Sequence, residues 1–97
     1  MLSYKAPIND INFLINDVFD YYDHYKKYPE FEDATPDLVD AIFQECAKFC
    51  ENELLPLYQS GDKEGCQWDN GVVTTPKGFK AAYDQYVAGG WQSLSHP

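Results

Sequence analysis

Residues 60–91 read SGDKEGCQWDNGVVTTPKGFKAAYDQYVAGGW, and this stretch decides the fold class. Gly61 reads as the end of a helix, and residues 61–65 as a turn. From Gly65 to Thr74 the apolar period shortens. Cys66-Gln67-Trp68, Asp69-Asn70-Gly71 and Val72-Val73-Thr74 give a short β-hairpin around a turn that needs positive φ. An isolated two-stranded hairpin is marginal in water, so Trp68 and both valines are expected to pack on helices. Thr75-Pro76 then reads as a helix start. The predicted helix runs to about Ala88 with Phe79, Ala82, Tyr83 and Tyr86 inward, and Gly89-Gly90 stop it.

Upstream lies the same Thr-Pro signal. Thr35 suits an N-cap, Pro36 the first helical position, and Asp37 the positive end of the helix dipole. Leu38, Val39, Ile42, Phe43, Cys46, Phe49, Cys50 and Leu57 recur at three- and four-residue spacing, which predicts one long helix. Pro56 falls within it, and a kink is expected there because proline removes a backbone donor. Further upstream, Ile11, Ile15, Val18, Tyr22 and Tyr25, widened by Leu14 and Phe19, predict a helix over 8–25 capped by Asn9 or Asp10. Asp17, Asp20 and Asp23 lie off that stripe and should face water. Pro29 forbids continuation, leaving residues 28–33 as an acidic loop pinned by Phe31.

The expected fold is therefore all-α: three helices, with a small β-hairpin between the second and the third. A chain of 97 residues holds one modest core, so residues 1–97 are taken as one domain. No apolar run approaches the roughly 18 residues that span a bilayer, and the start lacks the pattern of a secretory signal, so a cytoplasmic location is expected. Seven basic residues, all Lys, stand against sixteen acidic ones, for a formal charge of −9. That balance opposes binding to nucleic acid or to anionic membranes, both of which need clustered cations.

Few side chains suggest chemistry. Cys46 and Cys50 share a helix face and, with Cys66 and His24 or His96, make a metal set on paper, although the spacing matches no zinc pattern. Their place on the apolar stripe favours small buried hydrophobes, and an odd cysteine count argues against a disulfide framework. Asp20 and His24, one turn apart, have the form of an oriented base with no nucleophile nearby, so a solvated pair is the plainer reading. Residues 61–65 lack the acidic positions of a calcium loop. No dinucleotide fingerprint, phosphate loop or nucleophile elbow occurs. The expected catalytic, cofactor-binding and metal-binding residues of this chain are thus none. Tyr21, Tyr22, Tyr25 and Tyr28 mark either core packing or a sticky surface.

One set of residues, taken in order, is specific: Tyr4-Lys5-Ala6-Pro7, the helix over 10–19, Thr35-Pro36-Asp37-Leu38, Leu55-Pro56-Leu57, Gly61-Asp62 with Glu64-Gly65-Cys66, Gly71-Val72-Val73-Thr74, Pro76-Lys77-Gly78-Phe79 and Gly90-Trp91. Across nearly the whole chain this resembles the N-terminal end of large bacterial acyl-CoA dehydrogenases, of the 3-methylmercaptopropionyl-CoA dehydrogenase-like type. The resemblance implies a non-catalytic N-terminal helical domain that stops before the flavin-binding domain. It further implies an enzyme that, at full length, uses FAD to remove hydrogens from Cα and Cβ of an acyl-CoA thioester and passes electrons to an electron-transfer flavoprotein. The catalytic Glu and the FAD and coenzyme A contacts would lie beyond residue 97, so no residue here inherits them. The implied partners are the flavin-binding and C-terminal domains. Faces shaped to meet them should leave apolar surface exposed, which favours a homo-oligomer. The competing readings are a free-standing helical interaction module with an aromatic binding face, and a small metal protein built on the cysteines.

Overall fold

The structure is a computed structural model that describes residues 3–96. The chain divides into two compact units, one of Tyr4–Glu51 and one from Asn52 onward together with Ser3. Among the described residues it is mostly helical, with one two-stranded antiparallel sheet. Apart from two 3-10 turns, the described helical residues form four continuous runs, 8–18, 21–25, 36–64 and 79–88, where three were expected.

In the first unit, α1 (Ile8–Phe13) begins directly after Pro7, whose carbonyl accepts from the Ile11 amide at 3.0 Å. The start precedes both expected caps: the N-cap is Pro7, with no side-chain bond, and Asp10 lies in the first turn. A π turn (Leu14–Val18) follows, closed by the Phe19 amide donating to Leu14 O at 2.9 Å. Asp20 then takes a left-handed backbone, φ 50°, before α2 (Tyr21–Tyr25). The helix expected over 8–25 is thus broken in two. A π turn uses an extra residue, which shifts the apolar stripe out of phase, and aspartate tolerates positive φ better than most residues. Ile11, Ile15, Tyr22 and Tyr25 remain half-buried, whereas Leu14, Val18 and Phe19 turn out exposed. Asp17, Asp20 and Asp23 face solvent as expected.

A 3-10 turn (Pro29–Phe31) leads to α3 (Pro36–Phe49). Thr35 caps α3, its Oγ1 accepting from the Leu38 amide at 3.3 Å, and Pro36 and Asp37 occupy the first turn. Val39, Ile42, Phe43, Cys46 and Phe49 are half-buried and Ala47 is buried, so α3 shows most of the expected apolar face, but Leu38, in the first turn, is exposed. Asn12 Nδ2 donates to Asp40 Oδ1 at 3.0 Å and fastens α1 to α3.

A second π turn (Cys50–Leu54) carries the chain from one unit into the other. It ends where α4 (Leu55–Glu64) begins, so Pro56 falls in a first turn, where its missing donor costs nothing. The disturbance expected at Pro56 takes this form. Gly61 does not end the helix, and residues 61–64 are helical rather than a turn; the stop is Gly65, at φ 67°. Strands β1 (Gln67–Asp69) and β2 (Val72–Thr74) pair with Trp68 opposite Val73. Their turn has Asn70 at φ 47° and Gly71 at φ 82°, the twin positive values a tight hairpin requires.

Thr75-Pro76 is not the start of the next helix. The Lys77 amide donates to Glu64 Oε2 at 2.6 Å, and Gly78, at φ 91°, interrupts any helix begun earlier. Helix α5 (Phe79–Ala88) therefore starts after Gly78, and Gly89 with Gly90 (φ 76°) ends it as expected. Contact between α4 and α5 runs through small residues. A Cβ on Gly61 would lie 2.5 Å from Phe79 Cζ, and one on Gly78 would lie 2.7 Å from Leu57 Cδ2. Ala82 and Pro76 are buried in this unit.

Candidate interaction surface

Among the described residues the buried hydrophobic side chains are Ala47 in the first unit and Ala82 in the second, beside the buried Pro76, and no large side chain is fully buried. Burying a side chain such as Leu, Phe or Trp stabilises a protein by roughly 1.5–3 kcal/mol relative to leaving it exposed. The chain forgoes that contribution at many positions, so the exposed apolar surface is its principal functional candidate.

In the first unit the surface is aromatic. Ring centroids link Phe19 to Tyr21 (5.5 Å), Tyr21 to Tyr25 (6.1 Å), Tyr25 to Phe31 (5.7 Å) and Phe31 to Tyr28 (5.8 Å). His24 joins the series against Tyr28 at 5.2 Å. Ring separations of this size are those of mutually attractive aromatic pairs. The break at Asp20 and the 3-10 turn at Pro29 bring together rings that one straight helix would have spread along its length. Phe31 touches Tyr25 and Tyr28 yet remains 41% exposed, so the expected pinning to a core is not what it does. Tyr22, half-buried behind this face, has its phenol pKa raised, chiefly by burial and then by Tyr25 and Asp40.

In the second unit the hairpin leaves Trp68 72% exposed, with Val72 and Val73 also open. The expected packing of these three residues on helices is not found. A three-residue strand pair turns each side chain to one face or the other, and neither face here is covered. Tyr58, Tyr83 and Leu94 are also exposed, and Phe79 reaches Gly61 with only part of its ring covered. Of the residues expected inward on α5, only Ala82 is buried and Tyr86 half-buried.

The titratable candidates are dispersed. Cys46 and Cys50 are half-buried one turn apart on α3 and its end, and burial, reinforced by Cys46, raises the Cys50 thiol pKa. Cys66 is exposed and belongs to the other unit. Among the described residues no three His, Cys, Asp or Glu side chains converge as a metal would require. His24 lies on Tyr25 and Tyr28 rather than on Asp20. Glu51 Oε1 is shut from solvent without a hydrogen bond, and Lys5 Nζ stands 3.5 Å away as an ion-pair partner. Glu64 has a role that its place in the expected 61–65 turn does not signal. Its carboxylate holds Lys77, thirteen residues away, and no periodicity signals a bond of that reach.

Comparison with known proteins places this surface in context. The chain is 39% identical, over 99% of its length, to 3-methylmercaptopropionyl-CoA dehydrogenase of Ruegeria pomeroyi. It matches the N-terminal part of an acyl-CoA dehydrogenase. No family model matches the chain. It spans 16% of the length of that curated relative, so most of a dehydrogenase of this kind lies outside the matched region. Uncovered apolar side chains are what a segment of a larger protein presents when seen by itself. Among the described residues no helix is long and apolar enough to cross a membrane.

Proposed function

We propose that residues 1–97 form an N-terminal structural domain of an FAD-dependent acyl-CoA dehydrogenase and carry out no chemistry by themselves. The match across 99% of the chain to one part of such an enzyme carries this reading, and the absence of any fully buried large side chain among the described residues supports it. The flavin-binding and C-terminal domains would cover the exposed aromatic and hairpin surfaces. FAD, the catalytic carboxylate and the coenzyme A contacts belong, on this reading, to those domains, as does delivery of electrons to an electron-transfer flavoprotein. The exposed faces fit that division. They present carboxylates and rings and no Arg, a poor setting for a pyrophosphate. Cytoplasmic location and self-association through the exposed apolar side chains of the second unit complete the proposal.

The experiment is direct. The purified 97-residue polypeptide, given FAD, an acyl-CoA and an artificial electron acceptor, is expected to bind no flavin and reduce no dye. The reading frame downstream of codon 97 is expected to continue into a flavin domain. Turnover by the isolated polypeptide would overturn the structural role. A stop codon would favour the free-standing interaction module, which the exposed aromatic series also fits.

A further inference from the structure

The aromatic face of the first unit has a charge pattern that the role just proposed does not use. Between Asp17 and Asp33 stand six carboxylates, Asp17, Asp20, Asp23, Glu30, Glu32 and Asp33, against two lysines, Lys26 and Lys27. All eight side chains are exposed. None of the six carboxylates takes part in the ion pairs of the described residues, which join Lys5 to Glu51, Lys48 to Glu45 and Lys80 to Asp84, or in their side-chain hydrogen bonds. The same seventeen residues hold the ring series, with Phe19, Tyr21, Tyr28 and Phe31 each at least 40% exposed.

Rings and carboxylates together select one kind of occupant. A neutral apolar surface would cover the rings but strand the carboxylates in a drier setting, at a cost no hydrogen bond offsets. A second copy of this chain, itself at −9, would bring like charge to like. A guanidinium satisfies both: it stacks on aromatic faces, pairs with carboxylates in a bidentate fork, and sheds its hydration more readily than an ammonium. We propose that this face docks a protein segment carrying Arg side chains interspersed with apolar ones. The inference stands on the geometry of the first unit, whichever larger protein the chain serves.

The test uses the whole 97-residue chain and two synthetic amphipathic peptides, one with Arg at its polar positions and one with the neutral isostere citrulline. Binding is read by calorimetry and by NMR shifts of the ring protons. The Arg peptide is expected to bind at least tenfold tighter than the citrulline peptide and to weaken about tenfold in 0.5 M NaCl. Replacing Tyr28 and Phe31 by Ser should weaken the Arg peptide at least fivefold, and so should the set Asp20→Asn, Asp23→Asn, Glu30→Gln. Neutralising Asp62 and Asp84 of the second unit should leave binding unchanged and controls for general acidity. Equal binding of both peptides, insensitivity to the aromatic pair, or ring shifts that appear on self-association alone would overturn the proposal. A failure here leaves the flavin and turnover assays untouched, so the two readings fail separately.

Discussion

The two units solve the same packing problem with opposite means. The first brings medium and large apolar residues together, with Ile11, Ile15, Tyr22, Tyr25, Ile42 and Phe43 all half-buried, and joins α1 to α3 by the Asn12–Asp40 hydrogen bond. The second works by subtraction. Gly61 and Gly78 let Phe79 and Leu57 come close, Pro76 and Ala82 are buried, and Tyr58, Trp68 and Tyr83 stay outside. A unit held by close approach of small residues has little apolar area of its own, so its stability rests on backbone geometry. One held by larger side chains rests on area and on polar bonds.

The sharpest way to break this contrast is at Gly78. Gly78→Ala puts a Cβ at φ 91° and 2.7 Å from Leu57 Cδ2, so both backbone and packing oppose it. We expect a loss of about 2–3 kcal/mol, read as a lower denaturant midpoint of the Trp signal, with the first unit's ring NMR resonances little changed. Equal loss in both units would show that they do not unfold separately. Gly61→Ala adds a finer question. In an exposed helix the change would gain roughly 1 kcal/mol, whereas here the Phe79 ring must move aside. A net loss that vanishes in a Phe79→Ala background would establish the contact.

These glycines also show what the sequence makes legible. The helical stripe of α3 and its Thr35 cap could be read directly, because apolar period and capping are local. The hairpin was equally readable from Asp69-Asn70-Gly71, whose backbone needs are local too. The break at Asp20 was not, since nothing in an unbroken apolar stripe records the extra residue of a π turn. Nor was the start of α5. Thr75-Pro76 carries the same signal as Thr35-Pro36, and what distinguishes them is Gly78, whose φ of 91° breaks the run, together with the distant Glu64 carboxylate, which takes the Lys77 amide. Exposure of Trp68 and the valines escapes the sequence for a different reason. Apolar pattern tells which side chains want cover and is silent on whether this chain or another supplies it.

A smaller effect is expected at the cap. Thr35→Ala removes the acceptor for the Leu38 amide and should cost the first unit about 1 kcal/mol, with Thr35→Ser recovering most of it. Thr75→Ala supplies the matched test in the second unit. Because Thr75 does not begin α5, its replacement should leave the melting temperature nearly unchanged. A comparable loss at both positions would mean that the shared Thr-Pro signal acts alike in both places.

The smallest effect separates the units by pH. Tyr22 and Cys50, both in the first unit, have folded pKa values raised above their ordinary 10.0 and 9.0, chiefly by burial. Each is neutral when protonated, so the folded state holds its proton more tightly than the unfolded chain does. The stability this contributes is complete below the ordinary value and is lost as pH rises through the raised one. The first unit should therefore weaken progressively above pH 9, through Cys50 first and Tyr22 after it, while the second unit changes less. Tyr22→Phe should flatten the upper part of that decline in denaturant melts, since an unionisable ring occupies the same place. The thiols offer an independent reading of the same asymmetry. Cys66, exposed, should be alkylated by iodoacetamide well before Cys50, whose proton is held by burial and by Cys46, and peptide mass spectrometry at pH 8 resolves the order. If Cys50 reacted as fast as Cys66, the first unit would be open enough at that pH to forfeit the packing that sets it apart from the second.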